Sequence, residues 1–273
     1  MGLGIRYIEV ANVWQILFYR SLAMTPFLFI VMTIRAKGRP LPAIRNAGLA
    51  GVVGGVALVF AFAGGIFAVQ STSVANAMFL FAAAPFFAAL LGRFILGEQV
   101  RQGTWLAMIA AMLGITVMVW EGVSLGHMVG NVSALVSALG FAVFTITLRW
   151  RKFDDMMPTV VLAGFFAMTT TGLVCYLSGY SLRLPLNDIL ISLGLGVFQV
   201  GAGLTLYTIG SRAVPAVELA LLSMTEVVLG PFWVWLAIGE TAGFYTLLGG
   251  VVLLLAIAGN ALSGLRRKPT PLL

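Results

Sequence analysis

The sequence predicts an all-α, polytopic membrane protein, and three observations support that prediction. Of the 273 residues, 60% are hydrophobic and 9% are charged, whereas a soluble domain has about 25% charged residues. The apolar residues gather in nine stretches that are each long enough to cross a bilayer. The lysines and arginines lie almost entirely between those stretches, on alternate connections. This composition excludes a soluble enzyme, and it also excludes a disordered chain, which would be poor in apolar residues.

Each apolar stretch predicts one membrane-spanning helix, because a helix satisfies its own backbone hydrogen bonds where lipid offers no partner. The predicted segments are, in order, 12–34, 47–69, 72–92, 102–120, 128–148, 158–178, 189–209, 213–238 and 243–263. Together they contain three charged residues, Arg20, Glu218 and Glu226. A bundle of buried helices in a large soluble protein is the alternative, but the connections are too short to hold a soluble domain.

The basic residues predict how the helices are oriented. One alternate set of connections carries 13 lysines and arginines, and it comprises 35–46, 93–101, 149–157, 210–212 and the tail 264–273. The other set carries Arg6 and Arg183. By the positive-inside rule, the basic connections and the C-terminus are cytoplasmic, as in an integral protein of the inner cell membrane. The net charge of +7 is thereby explained without nucleic-acid binding.

An internal repeat divides the chain into two halves, which we predict as domains at 1–122 and 123–273. A gapless shift of 142 residues places Gly97 and Glu98 on Gly239 and Glu240, and it places segment 189–209 on 47–67. The charge distribution puts the two Gly-Glu pairs on opposite sides of the membrane, so the halves are predicted to be inverted copies. Secondary transporters have this architecture, with a binding site where the repeats meet.

The repeat also indicates a missing helix. Segment 128–148 has no partner in the first half, because its image falls almost entirely upstream of Met1. Leu3 to Ile8 are the candidate tail of such a helix. Inversion requires that each half crosses the membrane an odd number of times, which two halves of five helices would do. We therefore expect a ten-helix pattern of which nine helices are present. A genuine nine-helix protein with an external N-terminus is the alternative.

Three motifs resemble those of the EamA-type transporters of the drug/metabolite transporter superfamily. They are the run from Trp14 to Ser21 (WQILFYRS), the Leu-Gly-Glu of 96–98 and the Ile-Gly-Glu of 238–240. The resemblance covers nearly the whole chain, without the family's first helix. It implies a ten-helix, two-repeat exporter of amino acids or other small metabolites. It also implies transport driven by a gradient rather than by ATP, with an ion as the candidate coupling partner. Alternating access around a fixed central site is expected from the inverted halves.

Three polar side chains near the middle of their segments are candidates for a central cavity, namely Arg20, Gln199 and Glu226. A charge in the membrane costs at least about 2.5–3.5 kcal/mol, so its default interpretation is functional. The repeat places Ala57 on Gln199 and Ala84 on Glu226, so the scaffold does not need these polar groups in both copies. Glu226 is the candidate for a proton-linked or cation-linked residue, or for a contact to a substrate amine. A structural Arg20–Glu226 pair is the alternative.

Other polar residues complete the predicted substrate-binding or coupling set. Glu218 precedes Glu226 by eight residues in the same segment and can flank the same pathway, with an interfacial position as the alternative. The remaining candidates are Tyr19, Asn76 and Tyr207, together with Gln15. Hydrogen bonding between helices is the alternative role for all of them.

An enzyme is a weaker interpretation. Ser124 lies in a G-x-S-x-G match at 122–126, followed by His127. Such a serine is a nucleophile on a strand–turn–helix elbow, whereas this one is predicted between two helices. With one cysteine and one histidine in the chain, no metal site and no cofactor are predicted. The expected partners are the lipid bilayer and a small-molecule substrate, and the alternatives are an intramembrane enzyme and a non-transporting subunit or inactive fragment.

Overall fold

A computed structural model gives the fold of this chain, and it describes residues 1–36, 38, 40–124, 126–151, 157–210 and 216–265. These residues form twelve α-helices and one π-helical segment, with no strand among them. The α-helices are α1 (Gly2–Arg6), α2 (Val13–Arg35), α3 (Pro40–Ser71), α4 (Val74–Phe81), α5 (Ala84–Leu96), α6 (Gln102–Ser124), α7 (Met128–Arg151), α8 (Met157–Leu177), α9 (Leu186–Gly194), α10 (Gly203–Gly210), α11 (Ala216–Ile238) and α12 (Phe244–Leu265). The π segment (Leu195–Ala202) joins α9 to α10.

The predicted membrane segments correspond to these helices. Within the described residues, eight helical stretches are long and apolar enough to cross a membrane. The predicted segment 213–238 corresponds to α11, whose side chains are described from Thr225 onward. The prediction of an all-α, polytopic membrane protein is therefore confirmed.

Three segments that the sequence predicts as continuous helices are interrupted. Segment 72–92 is divided into α4 and α5, and Pro85 lies in the first turn of α5. Proline lacks an N–H group and therefore begins a helix more readily than it continues one. In α3 the helix bends at Gly48, where φ is 53° and ψ is −148°, a conformation that glycine adopts easily. Segment 189–209 contains the π segment, which makes the third interruption.

Small residues bring the long helices together. A Cβ atom on Gly140 of α7 would lie 2.6 Å from the carbonyl oxygen of Ala57 in α3. Likewise, a Cβ atom on Gly114 of α6 would lie 2.6 Å from the carbonyl oxygen of Gly249 in α12. Lipid tails are as apolar as leucine, so membrane helices associate through such close backbone packing rather than through a hydrophobic driving force.

The contacts between the termini of different helices fall into two groups, which lie at opposite ends of the bundle. At one, which we call the basic end, Arg149 Nη2 donates to Glu98 Oε2 at 2.6 Å. The guanidinium of Arg35, at the end of α2, lies 3.3 Å from the sulfur of Met157, at the start of α8. The arginine-rich connections therefore converge at this end, as the alternation of the charges predicts.

At the opposite end, which we call the acidic end, carboxylates hold backbone amides. The carboxylate of Asp188 is fully buried and accepts hydrogen bonds from the backbone N–H groups of Glu9, Val10 and Ala11, at 3.1, 3.0 and 2.9 Å. Glu121 accepts from the N–H of Thr246 at 2.6 Å and so satisfies a free donor in the first turn of α12. The Asp188 bonds hold the start of α9 beside the start of α2, and the Glu121 bond holds the end of α6 beside the start of α12.

Candidate functional site

Arg20 is a charge inside the bundle that has no counter-ion among the described residues. Its side chain is 2% exposed, and its guanidinium carbon lies 4.5 Å from the centre of the Phe62 ring. Its Nε atom is buried without a hydrogen-bond partner, and among the described residues no carboxylate pairs with it. A cation–π contact recovers only part of the cost of taking a charge out of water. Such a group is poised to receive a negatively charged ligand.

The candidate site has two walls. The first is α2, which carries Arg20, and the second is the helical chain from α9 through the π segment, which packs beside α2. The two run in parallel, because Gly196 contacts Arg20 while Gly201 contacts Phe27 further along both. A Cβ atom on Gly196 would collide with the carbonyl oxygen of Arg20. Glycine at this position therefore allows the two backbones to approach at the depth of the Arg20 side chain.

Further buried polar atoms on these two walls have no partner among the described residues. They are the hydroxyl oxygens of Ser21 and Ser192 and the amide oxygen of Gln199. Most buried polar atoms in proteins are hydrogen-bonded, so each exception requires an explanation. Together with Arg20, they give α2 and its parallel neighbour a set of unused donors and acceptors of the kind that a polar ligand would satisfy.

The π segment brings Gln199 into this wall. It spans the eight residues from Leu195 to Ala202 and lies in the middle of a helical stretch that crosses the membrane. π-Helical turns are rare, because their hydrogen bonding is less favourable than that of an α-helix, and they occur frequently at functional sites. The predicted site residue Gln199 therefore lies within the π segment.

Glu226 lies near the middle of α11, and its side chain is exposed. The pKa of the Met1 amino group is affected by burial and by the charges of Glu226 and Arg20. Burial lowers the pKa of that amino group, the negative charge of Glu226 raises it, and the positive charge of Arg20 lowers it. Among the described residues, no ion pair joins Glu226 to Arg20.

Three other predicted residues lie toward the acidic end and hold the protein together there. Tyr19 donates its hydroxyl hydrogen to the carbonyl oxygen of Leu182, and Gln15 Nε2 donates to that of Ser181 at 2.7 Å. Asn76 donates to Thr72 Oγ1 at 3.1 Å and to the side-chain oxygen of Asn131. These contacts are of the kind that the hydrogen-bonding alternative describes, and the substrate-binding role of Tyr19, Gln15 and Asn76 stays a prediction.

The remaining predictions lie partly outside the described residues. The side chains of Glu218 and Tyr207 are not among those described. The helix α6 extends to Ser124, so the start of the G-x-S-x-G match is helical rather than in a loop, and its serine side chain is also not described. In the described part of the chain, no group of three His, Cys, Asp or Glu side chains can hold a metal ion.

The sequence does not single out three residues of the site, namely Ser21, Ser192 and Phe62. A serine in an apolar helix usually bonds to a carbonyl one turn earlier, so its presence alone gives no signal. The adjacency of Ser21 to Arg20 was the available hint. The contact between Phe62 and Arg20 depends on how α3 packs against α2, which no local pattern reveals.

Comparison with known proteins adds independent findings. The sequence pattern of the EamA-like transporter family matches residues 3–120 and 128–262. The pseudopaline exporter CntI of Pseudomonas aeruginosa is 23% identical over 247 residues, which cover 89% of this chain and 84% of that protein. An uncharacterized transporter of Archaeoglobus fulgidus is 27% identical over 245 residues, covering 88% and 82%.

A solved crystal structure has the same fold, with a TM-score of 0.69 at 17% identity, and the match covers 97% of this chain and 93% of that one. The matched family ranges overlap every described membrane-crossing helix. They point to a multi-pass membrane transporter rather than to an enzyme. On this evidence the chain belongs to the EamA-like transporter family.

Proposed function

We propose that this protein is a secondary transporter of the inner cell membrane that exports amino acids or related small metabolites. The observation that supports this most directly is the buried guanidinium of Arg20, which has no counter-ion among the described residues and lies on α2, beside a parallel helical chain that carries further buried polar atoms without partners. An ionisable group inside a membrane is retained for function. The name of the pseudopaline exporter supports export as the direction.

The substrate's carboxylate binds Arg20. A guanidinium donates two parallel hydrogen bonds to a carboxylate, and such charge-assisted bonds are strongest where water is excluded. The hydroxyl groups of Ser21 and Ser192 and the amide of Gln199 then supply the further bonds that orient the ligand. The Phe62 ring covers one face of the guanidinium and keeps water from it.

Glu226 provides a negative charge for the positively charged part of the substrate or for a coupling cation. Because its side chain is exposed near the middle of α11, it is available to a substrate amine or to a coupling cation. Coupling to an ion gradient supplies the driving force, since the sequence has no ATP-binding loop. The site therefore takes a zwitterion, with its carboxylate at Arg20 and its amine toward Glu226.

Alternating access follows from the predicted inverted halves. In such transporters one repeat rocks against the other around a fixed site near the middle of the bilayer. We place the basic end and the C-terminus in the cytoplasm, because 13 of the 16 lysines and arginines lie on the basic connections. Export then means loading from the basic end and release at the acidic end.

Reconstituted vesicles loaded with a mixture of radiolabelled amino acids test this function. Glu226→Gln removes the charge and keeps the shape of the side chain, and Arg20→Gln removes the guanidinium and keeps a shorter polar side chain. We expect each to lower efflux at least tenfold while membrane insertion stays intact. Arg93→Gln is the matched control, because Arg93 is an exposed arginine of α5. Wild-type efflux and unchanged pH dependence in Glu226→Gln would refute its coupling role, and wild-type efflux in Arg20→Gln would refute the site.

A further inference from the structure

We infer that two arginine–glutamate pairs, Arg6–Glu240 and Arg149–Glu98, are latches that close the two ends of the transport pathway in alternation. The inference rests on the proposed alternating access. It assigns a function to the two Gly-Glu motifs, whose glutamates lie far from Arg20 along the bundle axis.

The latch at the acidic end is the more extensive one. Arg6 Nε lies 2.7 Å from Glu240 Oε2, and Arg6 Nη2 lies 3.1 Å from Glu240 Oε1. The same guanidinium donates to the carbonyl oxygen of Thr72 at 2.8 Å, and Glu240 accepts from the N–H of Val74 at 2.7 Å. The two side chains are 25% and 21% exposed. This pair therefore joins α1, the start of α4 and the connection between α11 and α12.

The latch at the basic end is smaller and more open to water. Arg149 Nη2 lies 2.6 Å from Glu98 Oε2, and the side chains are 48% and 35% exposed. Glu98 follows Gly97, which ends α5 with φ at 68°, and Arg149 lies in the last turn of α7. An exposed ion pair of this kind is easily broken by competing water and salt.

The two latches are related by the internal repeat. Glu98 falls on Glu240 at the shift of 142 residues, and Arg149 falls on Tyr7, which is next to Arg6. Gly239 has φ at 70°, close to that of Gly97. Each latch connects an arginine of one predicted half to the Gly-Glu motif of the other half. When the halves separate at one end, the latch at that end breaks while the other persists.

The difference between the latches predicts which end of the transport pathway opens more readily. Among the described residues, the latch at the acidic end makes four hydrogen bonds and the latch at the basic end makes one, so the latch at the basic end is the more easily broken. Removing one charge weakens one latch only. Glu98→Gln should therefore favour opening at the basic end, and Glu240→Gln should favour opening at the acidic end.

Thiol labelling measures these openings. Ser192→Cys in a Cys175→Ala background places one cysteine in the buried wall of the site. A membrane-impermeant thiol reagent is then applied to sealed vesicles from either face. We expect Glu98→Gln and Glu240→Gln to raise the labelling rate from opposite faces, by about two- to fivefold for the loss of one partly exposed pair.

Controls separate a latch from a general loss of stability. Glu9→Gln and Arg93→Gln remove exposed charges, one at the acidic end and one in α5, and should leave labelling unchanged. The exchange variant with Arg149→Glu and Glu98→Arg restores the pair in reverse and should restore the wild-type rate. Faster labelling from both faces at once, equal effects of the two variants on one face, or no effect at all would overturn the inference.

Efflux measured in the same vesicles tests the proposed function independently of the labelling. If efflux is lost in every preparation while the two variants still open opposite faces, the proposed transport is wrong and the latches stand. If efflux persists while labelling shows no asymmetry, the latches are wrong and transport stands.

Discussion

At the scale of single residues, Arg20 shows the conflict between stability and function. A charge buried without a partner costs about 3–5 kcal/mol relative to the paired state, which is a large part of the stability of a protein domain. The ring of Phe62 recovers part of that cost, and no carboxylate among the described residues contributes. Binding of a carboxylate would recover the remainder, so ligand affinity and protein stability are linked at this residue.

A double-mutant cycle distinguishes a shared ligand from a structural pair. Because no ion pair joins Arg20 to Glu226 among the described residues, we expect the losses of binding free energy in Arg20→Gln and Glu226→Gln to add within about 0.5 kcal/mol. Isothermal titration of the purified single and double variants with the transported substrate gives the three values. A double variant that loses much less than the sum would mean that the two residues pair directly.

At the scale of elements, the contact between α2 and the π segment determines the shape of the site. Gly196→Ala adds one methyl group where the carbonyl oxygen of Arg20 already lies. We expect the two elements to separate, with a loss of about 1–3 kcal/mol in the free energy of unfolding, as for other overpacked contacts. Thermal melting in detergent measures it.

Gly194→Ala is the matched control for that substitution. Gly194 ends α9, and a Cβ atom there would meet no atom within 4 Å. Alanine favours a helix over glycine, so this variant should melt at or above the wild-type temperature. Equal melting of the two variants would mean that the Gly196 contact does not restrict the approach of α2.

The same elements show how far the sequence alone could lead. Apolar length predicts every membrane segment, because the requirement for about 20 apolar residues is local. The division of 72–92 at Ala82–Ala83 could be suspected from Pro85, whereas the π segment left no trace in composition. Arg20, Gln199 and Glu226 stay predictions as site residues, which rest on their position near the middle of apolar segments. The sequence could not predict that Arg20 lacks a counter-ion among the described residues, because this depends on tertiary packing.

At the scale of the whole molecule, electrostatics and packing agree on two opposed ends. The contacts of Arg35 and Arg149 lie at one end, and those of Asp188, Glu121 and Glu240 lie at the other. The described contacts therefore place the ends of α2, α5 and α7 at the basic end and the starts of α2, α9 and α12 at the acidic end. A charge distribution of this kind orients the protein during insertion, because arginines and lysines are retained on the cytoplasmic side.

The orientation gives the last prediction. A reporter fused to the C-terminus, which follows Arg266, Arg267 and Lys268, should be cytoplasmic. The same reporter inserted in the connection 121–127, at the opposite end of α6, should lie outside the cell. Alkaline phosphatase, which is active outside, and green fluorescent protein, which fluoresces inside, measure both positions. If the two fusions report the same side, the positive-inside orientation is wrong, and the inverted relation of the halves fails with it, because that relation requires the two Gly-Glu motifs to lie on opposite sides.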